Sequence, residues 1–185
     1  MLRTFIAIEL SPETKRKLRD VISSLRSVHY PIKWVDAECI HLTLKFLGAT
    51  KDEQVPQIIN IMEEHLNNYP PFEYHIGDIS TFGTLRVPRV IWAGVTKGTD
   101  ELKRITGVLD EATCKLGFPS ENREYVPHLT LGRNRCSRPA DELLSKMKTL
   151  SVDTIEYAKE ITLIESKLRP SGPVYTPLGK VALGD

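Results

Sequence analysis

The chain has 185 residues, of which 41% are hydrophobic and 26% are charged, and its formal net charge is +1. These values predict a globular protein with a sizeable core and exclude a strongly basic chain that binds nucleic acid through its overall charge. No apolar run approaches the ~18 residues of a membrane span, and the polar N-terminus does not resemble a signal peptide. Three scattered cysteines indicate neither a disulfide framework nor a thiolate zinc site, so we expect a cytoplasmic protein.

The first half of the chain is predicted to alternate strands and helices. A strand over Thr4–Leu10 precedes a helix that runs to about Val28, with Ser11 as its N-cap and Pro12 at its first position. Three further elements follow: a strand near Cys39–Phe46 closed by Gly48, a helix from Lys51 or Asp52 to about Asn68, and a strand over Phe72–Phe82.

The second half is predicted to follow the same plan. A turn over Gly83–Pro88 leads into a strand over Val90–Val95, and a helix carrying Ile105, Val108 and Leu109 comes next. The last elements are a strand at His128, a helix near Ala140–Leu150, and strands near Val152–Lys167 and Val174–Leu183 joined by the turn Pro170–Pro173.

A sequence repeat relates the two halves. The tetrapeptide His-Leu-Thr-Leu occurs at His41–Leu44 and again at His128–Leu131, and the same offset maps Phe5 onto Trp92. A repeat of this length indicates two equivalent units that pack about a pseudo-twofold axis. We therefore expect one two-lobed domain over residues 1–185, with approximate repeats at 1–85 and 86–185 and with strands exchanged between the lobes.

The repeated tetrapeptide has the chemistry of a site. Alternation places His41, Thr43 and Lys45 on one face of a strand and His128 and Thr130 on one face of another, with the leucines directed into the core. One such motif is typical of any half-buried strand, but two copies supply two imidazoles and two hydroxyls. These groups suit phosphoryl chemistry without a metal, with one acid, one base and neutral donors to the phosphate oxygens.

The flanks of both motifs resemble a known family. Trp34-Val35, His41–Gly48, Pro88–Trp92 and Pro127–Arg133 are similar to the RNA 2′,3′-cyclic phosphodiesterase branch of the two-histidine phosphoesterase superfamily, also called the 2′-5′ RNA ligase family. The similarity extends from Phe5 to the last strand.

The resemblance implies an α+β, bilobal fold with a concave antiparallel sheet in each lobe, outer helices and an active-site cleft between the lobes. It implies opening of a terminal 2′,3′-cyclic phosphate to a 2′-phosphate, with 2′-5′ ligation as the reverse reaction. His41 and His128 carry over as acid and base, in that order by the family pattern, and Thr43 and Thr130 as donors to phosphate. The expected partners are RNA 3′ ends, tRNA fragments among them, bound by a monomer without a membrane, a metal or a cofactor.

Two basic residues have competing interpretations. Lys45 either stabilises phosphate charge from the His41 face or is a solvated strand end. Arg133 matches the family's basic position, but its parity is opposite to that of His128, so it reaches the site only if the strand ends or bulges near Gly132. With Arg133, Arg135 and Arg138 form a basic patch that either contacts RNA or belongs to a solvated loop.

The other candidates are interpreted as structural. Of the aromatic residues that could stack on a base, most are expected in the core, Phe46 above all because it lies on the leucine face. Cys39 is interpreted as a small buried residue on the motif strand. Three other histidines are interpreted as structural or surface residues without a matching partner: His29, His65 and His75.

Two rival functions remain open from the sequence. The first is a cyclic phosphodiesterase acting on a small nucleotide such as ADP-ribose 1″,2″-cyclic phosphate, for which a closed pocket would be expected instead of a long cleft. The second is an RNA-end binding protein without turnover, and the intact motifs in both halves argue against it.

Overall fold

The structure, a computed structural model, describes residues 1–84, 86–170 and 172–184. This part of the chain forms an α+β fold of four helices and two antiparallel sheets, which confirms the predicted fold class. The elements in chain order are β1 (Leu2–Glu9), α1 (Pro12–Arg26), β2 (Ile32–Trp34), β3 (His41–Thr50), α2 (Gln54–Leu66), β4 (Phe72–Gly83), β5 (Pro88–Lys97), α3 (Thr99–Cys114), β6 (His128–Asn134), α4 (Asp141–Met147), β7 (Ser151–Ala158), β8 (Glu160–Arg169) and β9 (Gly172–Ala182).

The two sheets draw strands from both halves of the sequence. The four-stranded sheet has the order β3-β1-β8-β9, and the five-stranded sheet has the order β2-β6-β5-β4-β7. In each sheet, the strand that carries a His-Leu-Thr-Leu motif lies beside the strand that opens its half of the chain. Each half also supplies strands to the other half's sheet, since β8 pairs with β1 and β4 pairs with β5.

The helices form as their sequences predict. Ser11 caps α1 by accepting a hydrogen bond from the Thr14 amide at 3.2 Å, and Pro12 occupies the first turn. The predicted stripe of Leu18, Val21, Ile22 and Leu25 is buried. The helix α1 packs on β7 and α2 packs on β9, so helices cover both sheets and leave the motif strands facing each other.

The predicted strand over Val152–Lys167 is wrong, because the chain changes sheets within it. Ala158 ends β7, paired with Phe72 of the five-stranded sheet, and Glu160 opens β8, paired with Ala182 of the other sheet. Continuous strand-like composition does not mark such a crossing. The predicted turns Gly83–Pro88 and Pro170–Pro173 include Leu85 and Ser171, which lie outside the described residues.

Across the described residues, no helix combines the length and the apolar character that crossing a membrane requires.

Candidate active site

The two motif strands lie against each other between the sheets. β3 is the edge strand of the four-stranded sheet, β6 is the second strand of the five-stranded sheet, and the two are in contact. The motif leucines are buried, while the histidine and threonine of each motif are half-buried. The histidine and threonine side chains of both motifs therefore lie where the two sheets meet, partly open to solvent.

Each motif histidine is held by the same hydrogen bond. The Nδ1 atom of His41 lies 3.0 Å from the carbonyl oxygen of Cys39, and that of His128 lies 2.7 Å from the carbonyl oxygen of Val126. A carbonyl oxygen only accepts, so Nδ1 carries the proton in both rings. This leaves Nε2 of each histidine as the atom that gains or loses a proton.

Aromatic rings support both imidazoles. The Phe5 ring stacks on His41 with centroids 4.5 Å apart, and the Tyr175 ring stands perpendicular to it at 5.0 Å. His128 is contacted edge-on by Phe82 at 5.0 Å and by Trp92 at 5.9 Å. These contacts fix each ring plane and remove water from one side of it.

Burial changes the acidity of both rings. It lowers the pKa of His41 to about 4, although the hydrogen bond to the Cys39 carbonyl acts in the opposite direction. Burial also lowers the pKa of His128, and the positive charge of Arg133 adds to that effect. At neutral pH burial therefore favours neutral imidazoles, each with a free Nε2 lone pair.

Equivalent β-bulges re-aim one side chain in each motif strand. The pairing of β1 with β3 skips Leu44, and the pairing of β5 with β6 skips Leu131, at the same position of the repeat. A bulge shifts the alternation of the residues that follow it. As a result Phe46 and Arg133, which are also equivalent in the repeat, leave the leucine face.

The bulge at Leu44 overturns two predictions. Phe46 is not in the core: its side chain is 60% exposed and lines the cleft beside Thr43. Lys45 is not on the His41 face: it is buried, paired with the Asp110 carboxylate, and donates to the Pro119 carbonyl at 2.7 Å. Alternation predicts the wrong face for both residues because a period-two pattern does not account for the extra residue, Leu44, in the bulge.

The bulge at Leu131 moves Arg133 to the same face of β6 as His128, so its side chain can reach the site. Arg133 is exposed, and its charge acts on His128 and also on Tyr175, which contacts His41. Arg135 and Arg138 continue the exposed basic patch into the following loop, where the Arg138 backbone carbonyl accepts from the Tyr30 hydroxyl.

A loop of the second half is fastened to the motif strand of the first. We call residues 119–126 the bridging loop. Asp110 of α3 accepts from the Ser120 hydroxyl, from the Glu121 amide at 3.1 Å and from the buried Lys45 ammonium. Further along the loop, the Tyr125 hydroxyl donates to the Thr43 carbonyl at 2.9 Å. The strand that carries Thr43 is therefore tied to the segment whose Val126 carbonyl orients His128.

The bridging loop forms one wall of a cleft of about 930 Å³. This volume is at the upper end of the range for small-molecule sites, about 300–1,000 Å³. Thr43 and His128 border the cleft, whereas His41, Thr130 and Arg133 are outside its lining. The remaining walls are Leu44, Lys45, Phe46, Phe82, Lys103, Thr106, Gly107, Asp110 and residues 121–126.

One prediction about another candidate is also wrong. Cys39 is not a buried strand residue: it is partly exposed and ends a short 3₁₀ turn, Ala37–Cys39, before β3 begins. His75 of β4 lies with Nδ1 at 2.6 Å from the Thr96 hydroxyl and Nε2 at 2.8 Å from an Asp153 oxygen, contacts that fit its interpretation as a structural histidine. Within residues 1–84, 86–170 and 172–184, no three His, Cys, Asp or Glu side chains are grouped as metal ligands.

Sequence patterns do not predict three contacts of the site. The rings of Phe5 and Tyr175 contact His41, and the Tyr125 hydroxyl donates to the Thr43 carbonyl. The repeat offset carried a signal for one of them, because it maps Phe5 onto Trp92 and both rings contact a motif histidine. No local pattern links Tyr175 to His41, since they are brought together only by the exchange of strands.

Two facing strands that each carry a histidine and a threonine, on two sheets that each draw strands from both halves of the chain, define a protein of the two-histidine class. The chain belongs to the 2′-5′ RNA ligase superfamily, whose family model matches residues 9–167. It is 33% identical over 180 residues to the RNA 2′,3′-cyclic phosphodiesterase of Methanothermobacter thermautotrophicus, covering 96% of each chain. It is 34% identical over 176 residues to the enzyme of the same name from Methanocaldococcus jannaschii, covering 94% of this chain and 96% of the other.

Solved structures share the fold over the whole chain. A crystal structure of a Thermus thermophilus protein superposes with a TM-score of 0.84 at 25% identity and covers 100% of both chains. Apo LigT of E. coli superposes with a TM-score of 0.74 at 25% identity and covers 100% of this chain and 98% of the other.

Proposed function

We propose that this protein is an RNA 2′,3′-cyclic phosphodiesterase that opens a terminal cyclic phosphate to a 2′-phosphomonoester. The observation that carries the proposal is the identical restraint of His41 and His128, each with a protonated Nδ1 on the carbonyl two residues earlier and with Nε2 left to transfer a proton. Relatives named RNA 2′,3′-cyclic phosphodiesterase, aligned over nearly the whole chain, support the substrate.

The reaction needs one proton-transfer group on each side of phosphorus. Water loses a proton as it attacks, and the ribose 3′ oxygen gains one as it leaves from the opposite side. Histidines on facing strands suit this in-line geometry. We assign His41 as the acid and His128 as the base from the family pattern. Since burial lowers the pKa of His41, its proton must be stabilised by the anionic phosphate that enters beside it.

The phosphate oxygens would be held by Thr43, Thr130 and Arg133. Two hydroxyls and one guanidinium supply hydrogen bonds and positive charge where negative charge develops, so we propose that no metal is required. Lys45 is left out of this set, because its ammonium is committed to Asp110 and the Pro119 carbonyl. We propose that the same site, run in reverse, forms 2′-5′ linkages.

The exposed basic patch supports an RNA end over a small nucleotide. Arg133, Arg135 and Arg138 can contact the backbone of a longer substrate. Exposed Phe46 provides a face on which a base can stack. We further propose that a monomer is the working unit, because one chain supplies both histidines and both threonines, and that tRNA fragments are among the substrates.

The test is hydrolysis of an oligoribonucleotide ending in 2′,3′-cyclic phosphate, in excess EDTA, with the position of the product phosphate mapped. We expect a 2′-phosphate, no effect of EDTA, and loss of activity in His41→Ala and His128→Ala but not in His29→Ala, which replaces an exposed histidine. Loss of activity with EDTA would make the reaction metal-dependent. Tight binding of the RNA without turnover would support an RNA-end binding protein instead.

A further inference from the structure

Two cations face each other on neighbouring strands beside the site. In the antiparallel pairing of β2 with β6, Lys33 lies directly opposite Arg133. Residues in such register project from the same face of a sheet, with Cβ atoms about 4.5–5.5 Å apart. Both side chains are exposed.

This arrangement is unfavourable unless an anion is bound. Like charges directly opposite each other destabilise a sheet. Among the described residues, neither Lys33 nor Arg133 forms a salt bridge with a carboxylate. The repulsion is therefore not relieved within this part of the protein.

The strands β2 and β6, whose pairing places Lys33 opposite Arg133, pack tightly against each other. Gly132 precedes Arg133, and a Cβ atom there would lie 2.5 Å from Ile32 Cγ2 and 2.9 Å from Trp34 Cε3. The absence of a side chain at Gly132 lets β2 pack against β6. Lys33 is thus placed by a strand of the sheet and by the packing of its two neighbours.

Lys33 lies on the outer side of Arg133, at the edge of the sheet. Arg133 acts electrostatically on His128 and Tyr175, so it borders the catalytic pair. β2 is the edge strand next to β6, and Lys33 therefore lies one strand, about 4.8 Å, further out. An anion between Lys33 and Arg133 would lie on the side of Arg133 away from β5, so the Arg133 guanidinium can contact both this anion and the terminal phosphate.

We propose that Lys33 and Arg133 form a second anion subsite, which binds the phosphodiester one nucleotide upstream of the terminal cyclic phosphate. The proposal rests on the proposed function and adds a reason for preferring oligonucleotides. A nucleoside 2′,3′-cyclic phosphate has no upstream phosphodiester, so only longer substrates use the subsite.

The test compares Lys33→Met with wild type on two substrates, uridine 2′,3′-cyclic phosphate and a uridine trinucleotide ending in 2′,3′-cyclic phosphate. Binding of the trinucleotide 2′-phosphate is measured in parallel by fluorescence anisotropy at several salt concentrations. The matched control is Lys97→Met, which removes the same charge from an exposed position of β5 in the same sheet.

We expect Lys33→Met to lower kcat/KM for the trinucleotide about fivefold and to reduce the salt dependence of its binding by about one ion, since one phosphate contact is lost. Turnover of the mononucleotide should change by less than about twofold, and Lys97→Met should change neither substrate. The melting temperature of Lys33→Met should not fall, because a repulsion is removed.

Equal losses on both substrates would place Lys33 at the reacting phosphate and overturn the subsite. If kcat/KM for the trinucleotide fell equally in Lys33→Met and Lys97→Met, the effect would come from overall charge and the subsite would be rejected. An unchanged kcat/KM in Lys33→Met would also reject the subsite. If wild type hydrolyses neither substrate, the proposed function fails, and the anisotropy measurement alone decides the subsite.

Discussion

At the scale of single residues, the motif histidines combine a fixed tautomer with a lowered pKa. The carbonyls of Cys39 and Val126 set the tautomer, and burial against aromatic rings sets the pKa. The lowered pKa has a consequence for folding as well as for catalysis, because the unfolded chain binds protons that the folded protein does not.

We predict that His41 makes the protein less stable in mild acid. Its pKa is about 4 in the folded state and near 6.5 when unfolded, so stability from this group is complete above about pH 6.5 and is lost as pH falls towards 4. The full loss is on the order of 3 kcal/mol. Urea denaturation at pH 7 and pH 4.5 should show a smaller loss for His41→Gln than for wild type. Equal losses in the two proteins would contradict the prediction.

A second prediction concerns Phe46, whose exposed ring lines the cleft next to Thr43. Stacking of a base on an aromatic ring contributes about 1–3 kcal/mol by alanine substitution. We expect Phe46→Ala to lower kcat/KM for RNA ends by about tenfold or more, and Phe46→Tyr to retain most activity. Tyr157→Ala, which removes an exposed aromatic of β7, is the control. An unchanged kcat/KM in Phe46→Ala would show that this ring does not hold a base.

At the scale of elements, the bridging loop connects the two half-sites. Tyr125 fastens it to the backbone of Thr43, and Asp110 fastens its beginning through Lys45, Ser120 and the Glu121 amide. These contacts link β3, α3 and the segment before β6. The separation of Thr43 and His128 across the cleft therefore depends on them, and with it the placement of β3 relative to His128.

We predict that Tyr125→Phe impairs catalysis more than substrate binding. The variant loses one partly buried hydrogen bond, which costs roughly 1 kcal/mol of stability. Looser positioning of β3 relative to His128 should lower kcat by about tenfold or more with little change in KM. In the His128→Ala background the same change should have little effect, because one positioned partner is already missing. A rise in KM at constant kcat would indicate a binding role instead.

The element scale also shows where sequence reasoning succeeds and fails. The stripe of α1, the cap at Ser11 and the leucine faces of both motif strands follow from composition and period. Lys45 and Phe46 were placed on the wrong faces because a bulge depends on how β1 pairs with β3, which no local pattern records. The break at Lys159 was missed for the same kind of reason, since the crossing between sheets is a tertiary feature.

At the scale of the whole molecule, each sheet is complete only when both halves of the chain are present. β1 and β3 pair with each other, but the other side of β1 is covered by β8 from the second half. Equally, β4 of the first half lies between β5 and β7 of the second. The two lobes therefore share backbone hydrogen bonds as well as a core.

We predict that neither half folds alone. A fragment of residues 1–85 leaves one side of β1 unpaired and isolates β4 from its neighbours, so it exposes strand edges and apolar faces. Its amide proton NMR spectrum should lack the dispersion of a folded protein. The fragment of residues 86–185 should behave likewise. A dispersed spectrum from either fragment would contradict the prediction.

The central claim is that His41 and His128 act as one acid–base pair. The most direct measurement is the single-turnover rate of cleavage of a 2′,3′-cyclic phosphate RNA end by wild type, both His→Ala variants and the double variant. We expect each single change to lower the rate by about 10²–10⁴-fold and the double change to cost about the same as either alone, since the two groups work together. Losses that multiply, or a single variant within about tenfold of wild type, would show that the two histidines do not form such a pair.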